Sequence, residues 1–570
     1  MSRRALLTLL ILAAALPAAA QAPSWCWLAS PEADAGARSV ARDAEGNAYL
    51  FGAFHGTLAI GHLTLTALGG GDFFLLKLDP AGRPLWARSF GGEWVEDGFD
   101  VATGPDGSVV VAGQFCSNTI DVGGLVLANT YQAPYHDWST FDLLVARFDA
   151  DGAVLWARAD GGIYDERPRG LAVDAAGDVS VAGVFVSPTV AFGPHVVTNT
   201  GNWDVFVARY DAAGNPLWAR GAEGSNQENC WDLDCDSSGD LYVCGSFNSP
   251  ALAFDDLALT NANDDFDLYV VRLNANGEAL WLKGAAGGLN WDDAKALAVD
   301  PADDLYVAGQ FRSDTLAFAT ETLVISPSEV SNSDLFLLKL DAWGNEQWIA
   351  RSTGEAWMSV FAVDAFGGGA TVIGCLNGLS AHHPEDLGAT TLLAVDSYDI
   401  FLAGYDGAGA NAWSACLGAD RMEFGEDVCH AADGGLLATG WFSSDSLRVG
   451  PWLLDNPYNN RSFLARLVAG GTGAPEAGPL GLAVAGYPSP ARGDVRIRYR
   501  LPWAGAAELA VFDVRGRRLR VLAAGPREAG EHRAVWDGRD DAGRRLPAGV
   551  YLCRVTAGGA SAARKVVLLR

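Results

Sequence analysis

Five short acidic and aromatic stretches of this 570-residue sequence contain the residue types best suited to binding a ligand or to catalysis. They are GGEWVEDG (91–98), GGIYDERP (161–168), GSNQENCWD (224–232), GGLNWDDA (287–294) and RMEFGED (421–427). Two adjacent carboxylates recur in four of them. With Trp357 added as a further tryptophan, the candidate ligand-binding residues are Trp94, Glu96, Asp97, Asp165, Glu166, Trp231, Asp232, Trp291, Asp292, Asp293, Trp357, Glu426 and Asp427.

Three roles are open for these residues. Carboxylates that recur at one register can cap the start of a strand in each repeat, which is a structural role. Carboxylates that face inward can hold a cation such as calcium, which prefers oxygen ligands. Tryptophans beside carboxylates can stack on sugar rings. Glycosidic or lyase chemistry needs one particular carboxylate pair at a fixed separation, and a repeated series argues against such a privileged pair.

Other catalytic patterns are missing from the sequence. It contains no G-x-S-x-G elbow, H-E-x-x-H motif or Walker loop, and no dinucleotide fingerprint after a strand. The one dense His/carboxylate cluster is His382–His383 followed by Glu385 and Asp386. Adjacent side chains of a strand point to opposite faces, so a solvated loop is favoured there over a metal site. We therefore assign no catalytic residue, metal ligand or cofactor, and a binding protein is favoured over an enzyme.

Two alternating signatures predict the elements that carry these stretches. One runs from an Asp, through a D-x-x-G turn, to a Trp. The Asp and Trp residues, which we predict to be structural, are Asp72, Asp142, Asp204, Asp267, Asp334, Asp399, Trp86, Trp156, Trp218, Trp281, Trp348 and Trp413. The other is a VAVD-like segment followed by a strand ending in G-x-F, whose Gly recurs at Gly52, Gly113, Gly183, Gly245, Gly309, Gly374 and Gly440.

The signatures predict an all-β fold in which each unit has four strands: A (as in LAVD), B (ending in G-x-F), C (starting at the Asp) and D (bearing the Trp). Seven units of 62–70 residues indicate a seven-bladed β-propeller. The seventh unit lacks a D strand, and WCWLAS, from Trp25, can supply one and close the ring. Because D-x-x-G turns join A to B and C to D at one edge, the candidate residues lie on the D-to-A loops of the opposite edge.

The repeat as a whole resembles a known family. Its pattern, D-x-F-V-x-K-L-D-x-x-G-x-x-x-W followed by A-V-D-x-x-G-x-x-Y-V-x-G, is similar to SBBP-type bacterial β-propeller repeats over residues 25–467. The resemblance implies the propeller fold and an exported or surface protein. It implies no particular activity, because one scaffold hosts many functions.

The N-terminus predicts export. Arg3 and Arg4, an apolar run from Ala5 to Leu16, and the small residues Ala18 and Ala20 are typical of a signal peptide over residues 1–20. The run is too short to span a membrane, and no later segment of the sequence could do so. We expect an extracellular or outer-surface protein of a Gram-negative-type envelope. In that compartment Cys230 and Cys244 could form a disulfide, although buried thiols are favoured for most of the nine cysteines.

A second domain follows the propeller (23–469) and a Gly/Pro/Ala-rich linker (470–480). Residues 481–570 alternate apolar and polar positions, which predicts a small antiparallel Ig-like sandwich. The segment 487–570, with WDGRDDAG, PAGVY and KVVLLR, resembles both the C-terminal sorting domain of type IX secretion cargo and the Ig-like module of the flagellar hook-capping protein. The resemblance implies contact with secretion or surface-attachment machinery, and removal of the tail on secretion.

Charge divides the chain in the same way. The net charge of −29 excludes nucleic acid as a favoured partner, because phosphate binding needs clustered Lys and Arg. Residues 481–570 carry a net +9 and residues 23–479 a net −40. This asymmetry is compatible with docking between the two parts, with contact to an anionic surface, or with two separately solvated surfaces. The sequence thus predicts a non-enzymatic scaffold for an extracellular glycan or protein, with a polysaccharide lyase or hydrolase and a purely structural surface component as alternatives.

Overall fold

The protein is described by a computed structural model. The described residues are 24–131, 140–263, 265–288, 290–325, 333–354, 356–377, 384–393, 398–419, 421–431, 433–450, 452–468, 483–487, 495–501, 505–513, 516–527, 530–557 and 560–569. The predicted signal peptide (1–20), the linker (470–480) and the His382–His383 pair lie outside them.

The described residues form strands and connections, with no helix among them. Strands β1 to β18 are Ser24–Ala29, Glu32–Arg42, Ala48–Ile60, Leu63–Thr66, Asp72–Leu78, Pro84–Phe90, Glu96–Thr103, Val109–Phe115, Thr119–Val122, Leu125–Ala128, Asp142–Phe148, Val154–Asp160, Glu166–Val173, Val179–Phe185, Thr189–Phe192, His195–Thr198, Asp204–Tyr210 and Pro216–Gly221. Strands β19 to β36 are Glu228–Cys235, Leu241–Phe247, Ala251–Phe254, Leu257–Thr260, Asp267–Leu273, Ala279–Gly284, Ala286–Gly287, Asp292–Val299, Leu305–Phe311, Thr315–Ala317, Thr322–Val324, Asp334–Leu340, Glu346–Arg351, Thr353–Gly354, Trp357–Phe366, Gly369–Asn377, Pro384–Asp386 and Thr391–Leu393. Strands β37 to β50 are Tyr398–Tyr405, Asn411–Leu417, Glu423–His430, Leu436–Phe442, Ser446–Val449, Trp452–Asp455, Arg461–Val468, Ala483–Tyr487, Val495–Leu501, Gly505–Asp513, Arg518–Arg527, Gly530–Trp536, Gly549–Ala557 and Ala560–Leu568.

Seven antiparallel sheets of the predicted A-B-C-D order make up most of the chain. The second unit is typical, with the sheet order β7-β8-β11-β12. The A strands of the seven units are β2, β7, β13, β19, β26, β33 and β39. The predicted assignment of strands A to D therefore matches the sheets that form.

The seventh sheet takes its outer strand from the other end of the chain. Strand β1 pairs antiparallel with β43, and Trp27 lies opposite Arg466. The sheet order is β39-β40-β43-β1. As the sequence predicts, the N-terminal segment thus occupies the D position of the last unit.

The D-x-x-G turns are fixed by their Asp and Gly residues. In the turn after β5, the Asp79 carboxylate accepts hydrogen bonds from the backbone N–H groups of Ala81 and Arg83. Gly82 has a φ of +78°, which L side chains rarely adopt. The same pattern recurs at Asp149 and Asp211, and it sets the end of C and the start of D.

The B-to-C connections contain structure that the sequence analysis did not resolve. Where variable loops were expected, short two-stranded hairpins occur, as in the pairs β9–β10, β15–β16, β21–β22 and β41–β42. The second-unit hairpin is tied to the D-to-A loop by a bridge between Gly91 and Asp121. We call the edge of the units that carries the hairpins and the D-to-A loops the hairpin edge.

Six of the seven units are joined to the next unit through the Trp of the D strand. The indole Nε1 donates to a backbone carbonyl in the next C-to-D turn at 3.0–3.2 Å, and the pairs are Trp86 and Ala150, Trp156 and Ala212, Trp218 and Ala275, Trp281 and Ala342, Trp348 and Gly407, and Trp27 and Pro80. The last pair runs from the seventh unit back to the first. The A strands of neighbouring units also contact one another, and β2 of the first unit contacts both β7 of the second and β39 of the seventh.

The C-terminal part has its own core. Two antiparallel sheets, β44-β45-β48 and β47-β46-β49-β50, form there. Trp536, Tyr551 and Cys553 are buried in a cluster drawn only from this part of the chain. In the propeller-like part, Cys230 and Cys244 are free thiols, so the disulfide considered for them is wrong: Cys230 lies opposite Gly245, and Cys244 opposite Asp232.

Candidate functional site

Each A strand contains a residue that falls out of register with its B strand at an equivalent position, and β2 has a further shift between Glu32 and Asp34. These seven bulge residues are Arg38, Phe99, Arg169, Trp231, Lys295, Phe361 and Glu426. A bulge leaves one residue unpaired and re-aims its side chain. One side chain from each unit is thereby displaced at an equivalent position of the A strand.

The Gly of G-x-F explains where the bulge forms. A Cβ on Gly183 would lie 2.1 Å from the carbonyl oxygen of Arg167, two residues before the bulge at Arg169. A Cβ on Gly245 would lie 1.9 Å from the corresponding oxygen of Asn229. Only glycine allows the A strand to approach B this closely, so the recurring Gly is what the bulge requires.

Bulge residues of neighbouring units contact one another. The Arg169 guanidinium lies over the rings of Phe99 (5.5 Å) and Trp231 (5.1 Å). The Lys295 ammonium lies 3.2 Å from the centre of the Trp231 ring. Arg38 pairs with Glu426 at 3.1 Å across the junction of the first and seventh units. The cluster is therefore cationic and aromatic, within a strongly acidic part of the chain.

Carboxylates two residues before the bulge balance part of this charge. Asp293 accepts a hydrogen bond from the Trp231 indole at 3.3 Å and lies 3.4 Å from Lys295. Burial raises the pKa of Asp97, and Arg38 and Arg169 oppose that rise. Two of the candidate carboxylates thus face cations of the same protein.

Three of the four candidate tryptophans also face cations of the protein. Arg312 lies 4.5 Å from the ring centre of Trp357 and 5.9 Å from that of Trp291. Trp231 faces Arg169 and Lys295 as described. These rings are therefore less available for stacking on a sugar than the sequence suggested, although Trp291 is 52% exposed.

Trp94 lies at a shallow cavity on the hairpin edge. The cavity, of about 250 Å³, is lined by Trp94 together with Thr119, Asp121 and Val126 of the neighbouring hairpin. The Trp94 backbone N–H donates to Ser117 at 2.8 Å, which fixes the loop against the B strand.

The carboxylates that begin the A strands are buried and bonded to serine. Glu96 accepts a hydrogen bond from Ser117 at 2.5 Å and from the Gly92 N–H at 3.2 Å. Asp292 accepts one from Ser313 at 2.6 Å. The equivalent carboxylates are Glu96, Glu166, Glu228, Asp292 and Glu423. The structural role proposed for strand-start carboxylates fits these residues.

Sequence reasoning missed two members of that set and all of their partners. Glu228 bonds Ser249, and Glu423 bonds Ser444. A signal was present, because a serine stands two residues after the Phe of G-x-F in five units, at Ser117, Ser187, Ser249, Ser313 and Ser444.

The expectation that all four carboxylate pairs share one register is wrong. Glu96, Glu166 and Asp292 begin their strands, whereas Glu426 and Asp427 lie at the bulge and directly after it. Asp427 accepts hydrogen bonds from the Ser39 hydroxyl and the Val40 N–H of the first unit. Pairs of acidic residues that look alike in the sequence therefore have two different roles: some begin an A strand and bond a serine, and others bond the neighbouring unit.

Asp232 belongs to the second role. Its carboxylate accepts the Leu297 N–H of the next unit at 2.9 Å, as Asp100 accepts that of Leu171 at 2.8 Å. Asp165 differs from both groups, since it bonds Arg167 at 2.9 Å and accepts the Phe141 N–H at 3.3 Å.

The C-strand Asp residues meet the strand-start carboxylates from the other side. A Cβ on Gly91 would lie 2.8 Å from both the Asp72 carboxyl carbon and a Glu96 oxygen, so the two acids converge there. Burial raises the pKa of Glu96 to about 7 and that of Glu166 to about 8. Burial also raises the pKa of Asp142, the acid beside Glu166, to about 6.

The geometry of the described residues gives little support to a metal site or to catalysis by histidine. Among the described residues, no group of three or more His, Cys, Asp or Glu side chains is placed to hold a metal ion. His382 and His383 lie outside those residues, whereas Glu385 beside them is fully buried.

The comparisons with known proteins bear first on the C-terminal part. Residues 492–561 match the FlgD Ig-like domain. The match agrees with the two sheets and the separate core described above. No helix long and apolar enough to cross a membrane occurs in the described parts of the chain.

Two curated proteins are similar to about a third of the chain. One is an uncharacterized WD repeat-containing protein of Acanthamoeba polyphaga mimivirus, 23% identical over 32% of this chain and 15% of its own length. The other is the regulatory protein FlaEY of Caulobacter vibrioides, 31% identical over 31% of this chain and 18% of its own length. The aligned region is thus less than a fifth of either relative.

Solved structures with similar stretches have low TM-scores. PorZ, a surface component of the type-IX secretion system of Porphyromonas gingivalis, is 12% identical, with 95% of this chain and 100% of that chain covered and a TM-score of 0.16. A fungal alcohol oxidase in complex with copper is 12% identical, with 82% and 95% covered and a TM-score of 0.30. The rhamnogalacturonan lyase YesW is 13% identical, with 83% and 89% covered and a TM-score of 0.27. All three values lie below 0.5, so none of these likenesses bears on function.

Proposed function

We propose that this chain is an exported, closed seven-bladed β-propeller of the SBBP-repeat type that acts as a non-enzymatic binding scaffold at or outside the cell surface. Closure is supported by the pairing of β1 with β43 and by the Trp27 indole, which donates to Pro80 of the first unit. It is also supported by Asp427, which binds the Ser39 hydroxyl and the Val40 N–H across the same junction.

The observation that carries the binding role is the exposed apolar surface of the hairpin edge. Exposed large apolar side chains on the hairpins and D-to-A loops are Leu68, Leu125, Val126, Tyr131, Ile163, Tyr164, Val196, Trp291, Val324, Leu393, Met422, Leu453 and Tyr458. The opposite edge consists mainly of Asp- and Gly-containing turns. Exposed apolar groups gathered on loops over a rigid scaffold are typical of an interaction surface.

A scaffold is favoured over a lyase or hydrolase because the recurrent carboxylates already have partners. Glu96 and Asp292 bond serines, and Asp232 binds a backbone N–H of the next unit. No single carboxylate pair stands apart from the repeated series, as glycosidic chemistry would need.

The FlgD Ig-like domain supports a second part of the proposal. We assign residues 481–570 to contact with secretion or surface-attachment machinery in a Gram-negative-type envelope, with 23–469 as the propeller and 470–480 as a linker. A glycan or protein outside the cell is the ligand proposed for the hairpin edge, and nucleic acid is not.

The binding role can be tested with insoluble polysaccharides, such as pectin, xylan and chitin, and with isolated cell envelopes. We expect the purified chain to sediment with at least one of them and to release no soluble sugar. Val126→Glu combined with Val196→Glu should reduce sedimentation at least tenfold. Leu85→Glu combined with Leu155→Glu, on exposed D-strand positions, is the matched control and should have no effect.

Other results of the same experiment would favour an enzyme or a purely structural surface component. Release of sugar that is abolished by one of Asp97→Ala, Asp165→Ala or Asp293→Ala would identify an enzyme. Binding to none of the materials would favour a structural surface component. The intact mass of the secreted protein tests the tail, since a mature chain ending near 470–480 indicates a removed sorting domain.

A further inference from the structure

The bulge residues of the A strands bring four cations close together. They are Arg38 of β2, Arg167 and Arg169 of β13, and Lys295 of β26, and Arg167 lies two residues before the bulge. Three of the four have carboxylate partners within 4 Å: Arg38 has Glu426, Arg167 has Asp165, and Lys295 has Asp293. Within the described part of the chain, Arg169 has no such ion pair.

The absence of an ion pair at Arg169 among the described residues matters because its guanidinium is largely enclosed by aromatic rings. Its guanidinium is held between the rings of Phe99 and Trp231, and its Nε is buried with no hydrogen-bond acceptor. The pKa of Arg169 is lowered to about 10, chiefly by burial; the positive charges of Arg167 and Arg38 act in the same direction, and Asp97 opposes them. A buried donor left without an acceptor destabilises the folded state, and a charged one does so more strongly.

We propose that the Arg169 guanidinium, flanked by Arg167 and Lys295, binds an oxyanion, either the carboxylate or the sulfate group of an acidic ligand. A guanidinium offers planar, paired donors that match two oxygens of such a group. The anion would supply the acceptor that the Arg169 Nε lacks and offset the repulsion from the neighbouring cations.

The place of the site in the fold makes it reachable. In five of the seven A strands, including that of Arg169, the bulge residue lies three positions after the first residue of the strand, beside the hairpin edge. The side chain of Arg38 is 41% exposed and that of Arg167 is 36% exposed. The site is distinct from the apolar surface of that edge, and it does not depend on what that surface binds.

Trp231 provides a reporter for the test. Its ring contacts both Arg169 and Lys295, so an anion that binds either cation changes the environment of the indole. The purified chain is titrated with sodium sulfate, sodium D-galacturonate and, as an uncharged sugar, D-galactose. Tryptophan fluorescence and isothermal titration calorimetry are followed at constant ionic strength.

We expect saturable binding of at least one oxyanion and none of galactose. Tighter binding of galacturonate than of sulfate would assign the site to a carboxylate, and the reverse to a sulfate. Arg169→Gln should weaken binding at least tenfold, because a charge-assisted hydrogen bond is lost. Arg220→Gln, on the exposed D strand of the same unit, is the matched control and should bind as the unaltered chain does.

Three results would overturn the proposal: no saturable binding of either oxyanion, equal binding of galactose, or unchanged affinity in Arg169→Gln. If that variant fails to fold, Arg169→Lys keeps the charge and removes the planar pair of donors. It should then bind several-fold more weakly, and unchanged affinity would count against the site. Trp231→Phe should lose most of the fluorescence response while calorimetry still detects binding.

Discussion

At the scale of single residues, the buried acids of the A strands dominate the electrostatics of the chain. Glu96, Glu166 and Asp292 are almost completely buried, and burial raises their pKa values to about 7, 8 and 7. Each therefore keeps its proton in mildly acidic solution. The recurrence of acids at the D-to-A loops was predictable from the sequence. Their serine partners and their degree of burial were not, because both depend on the pairing of A with B.

These acids predict a stability that falls as the pH rises. In the unfolded chain a glutamate ionises near its ordinary pKa of about 4.5, whereas folded Glu166 holds its proton up to about pH 8. The folded state thus binds more protons between those values, and stability decreases across that window by up to about 1.4 kcal/mol per pH unit for each such group. Below about pH 4.5 this group contributes no dependence, because both states are protonated.

Glu166→Gln should remove one such contribution. Urea unfolding of the variant and the unaltered chain between pH 5 and pH 8 measures the slope of stability with pH, and the slope should be smaller in the variant. Glu93→Gln, an exposed carboxylate on the loop before β7, is the control and should leave the slope unchanged. Equal slopes in all three proteins would show that Glu166 is ionised throughout this range.

At the scale of elements, the A-B-C-D unit was predictable and its details were not. Asp and Gly in the turns, with β-forming residues between them, determine the four strands locally. The hairpins between B and C escaped detection because strands of three or four residues, as at Thr119–Val122, carry too little pattern. The bulge escaped because it arises from the fit of two strands, although the recurring Gly of G-x-F was visible.

Replacing that Gly tests the bulge. Gly183→Ala places a Cβ against the Arg167 carbonyl, and we expect the A strand to shift at a cost of about 1–3 kcal/mol in the free energy of unfolding. Gly36→Ala is the control, because no atom lies within 4 Å of a Cβ at that position. Thermal unfolding of both variants gives the comparison, and equal midpoints would contradict the role assigned to Gly183.

The position of the Arg169 side chain also depends on Gly183. Because the bulge directs its side chain, Gly183→Ala should also weaken the oxyanion binding proposed above, although the two residues lie on different strands. A variant that remains folded and binds the oxyanion normally would separate the site from the bulge.

At the scale of the whole molecule, the first and last strands of the repeat array depend on one another. Trp27 of β1 is 4% exposed and packs against Gly82, where a Cβ would lie 2.7 Å from its ring. Its position was predictable from the missing D strand of the seventh unit. The charge contrast between the repeat array and the FlgD Ig-like domain was visible in the same way, but it did not show whether the two dock.

Trp27→Ala should destabilise the whole array by about 3–5 kcal/mol, the usual cost of removing a buried tryptophan. Trp343→Ala, at a position that is 77% exposed, is the control and should cost little. Urea unfolding followed by circular dichroism measures both. Similar losses in the two variants would argue against closure through β1.

Removing residues 470–570 should leave the unfolding of the seven sheets within a few degrees of its original midpoint. The core around Trp536 and Tyr551 draws on no residue of those sheets. Differential scanning calorimetry of the shortened and full chains provides the test. A large decrease in the midpoint would show that the oppositely charged parts stabilise each other.

The pairing of β1 with β43 also constrains the timing of folding. Ser24 is among the first residues of the described chain to be synthesised, and its partner Val468 is made only after all seven units. Until then β1 lacks the neighbour beside which it pairs, and Trp27 has no completed sheet to cover it. Such distant pairing slows folding, because the ends of a long chain must meet before the contact contributes. Strand β1 therefore stays without its partner while the first six units are made, and it can complete the seventh sheet only once β43 is available.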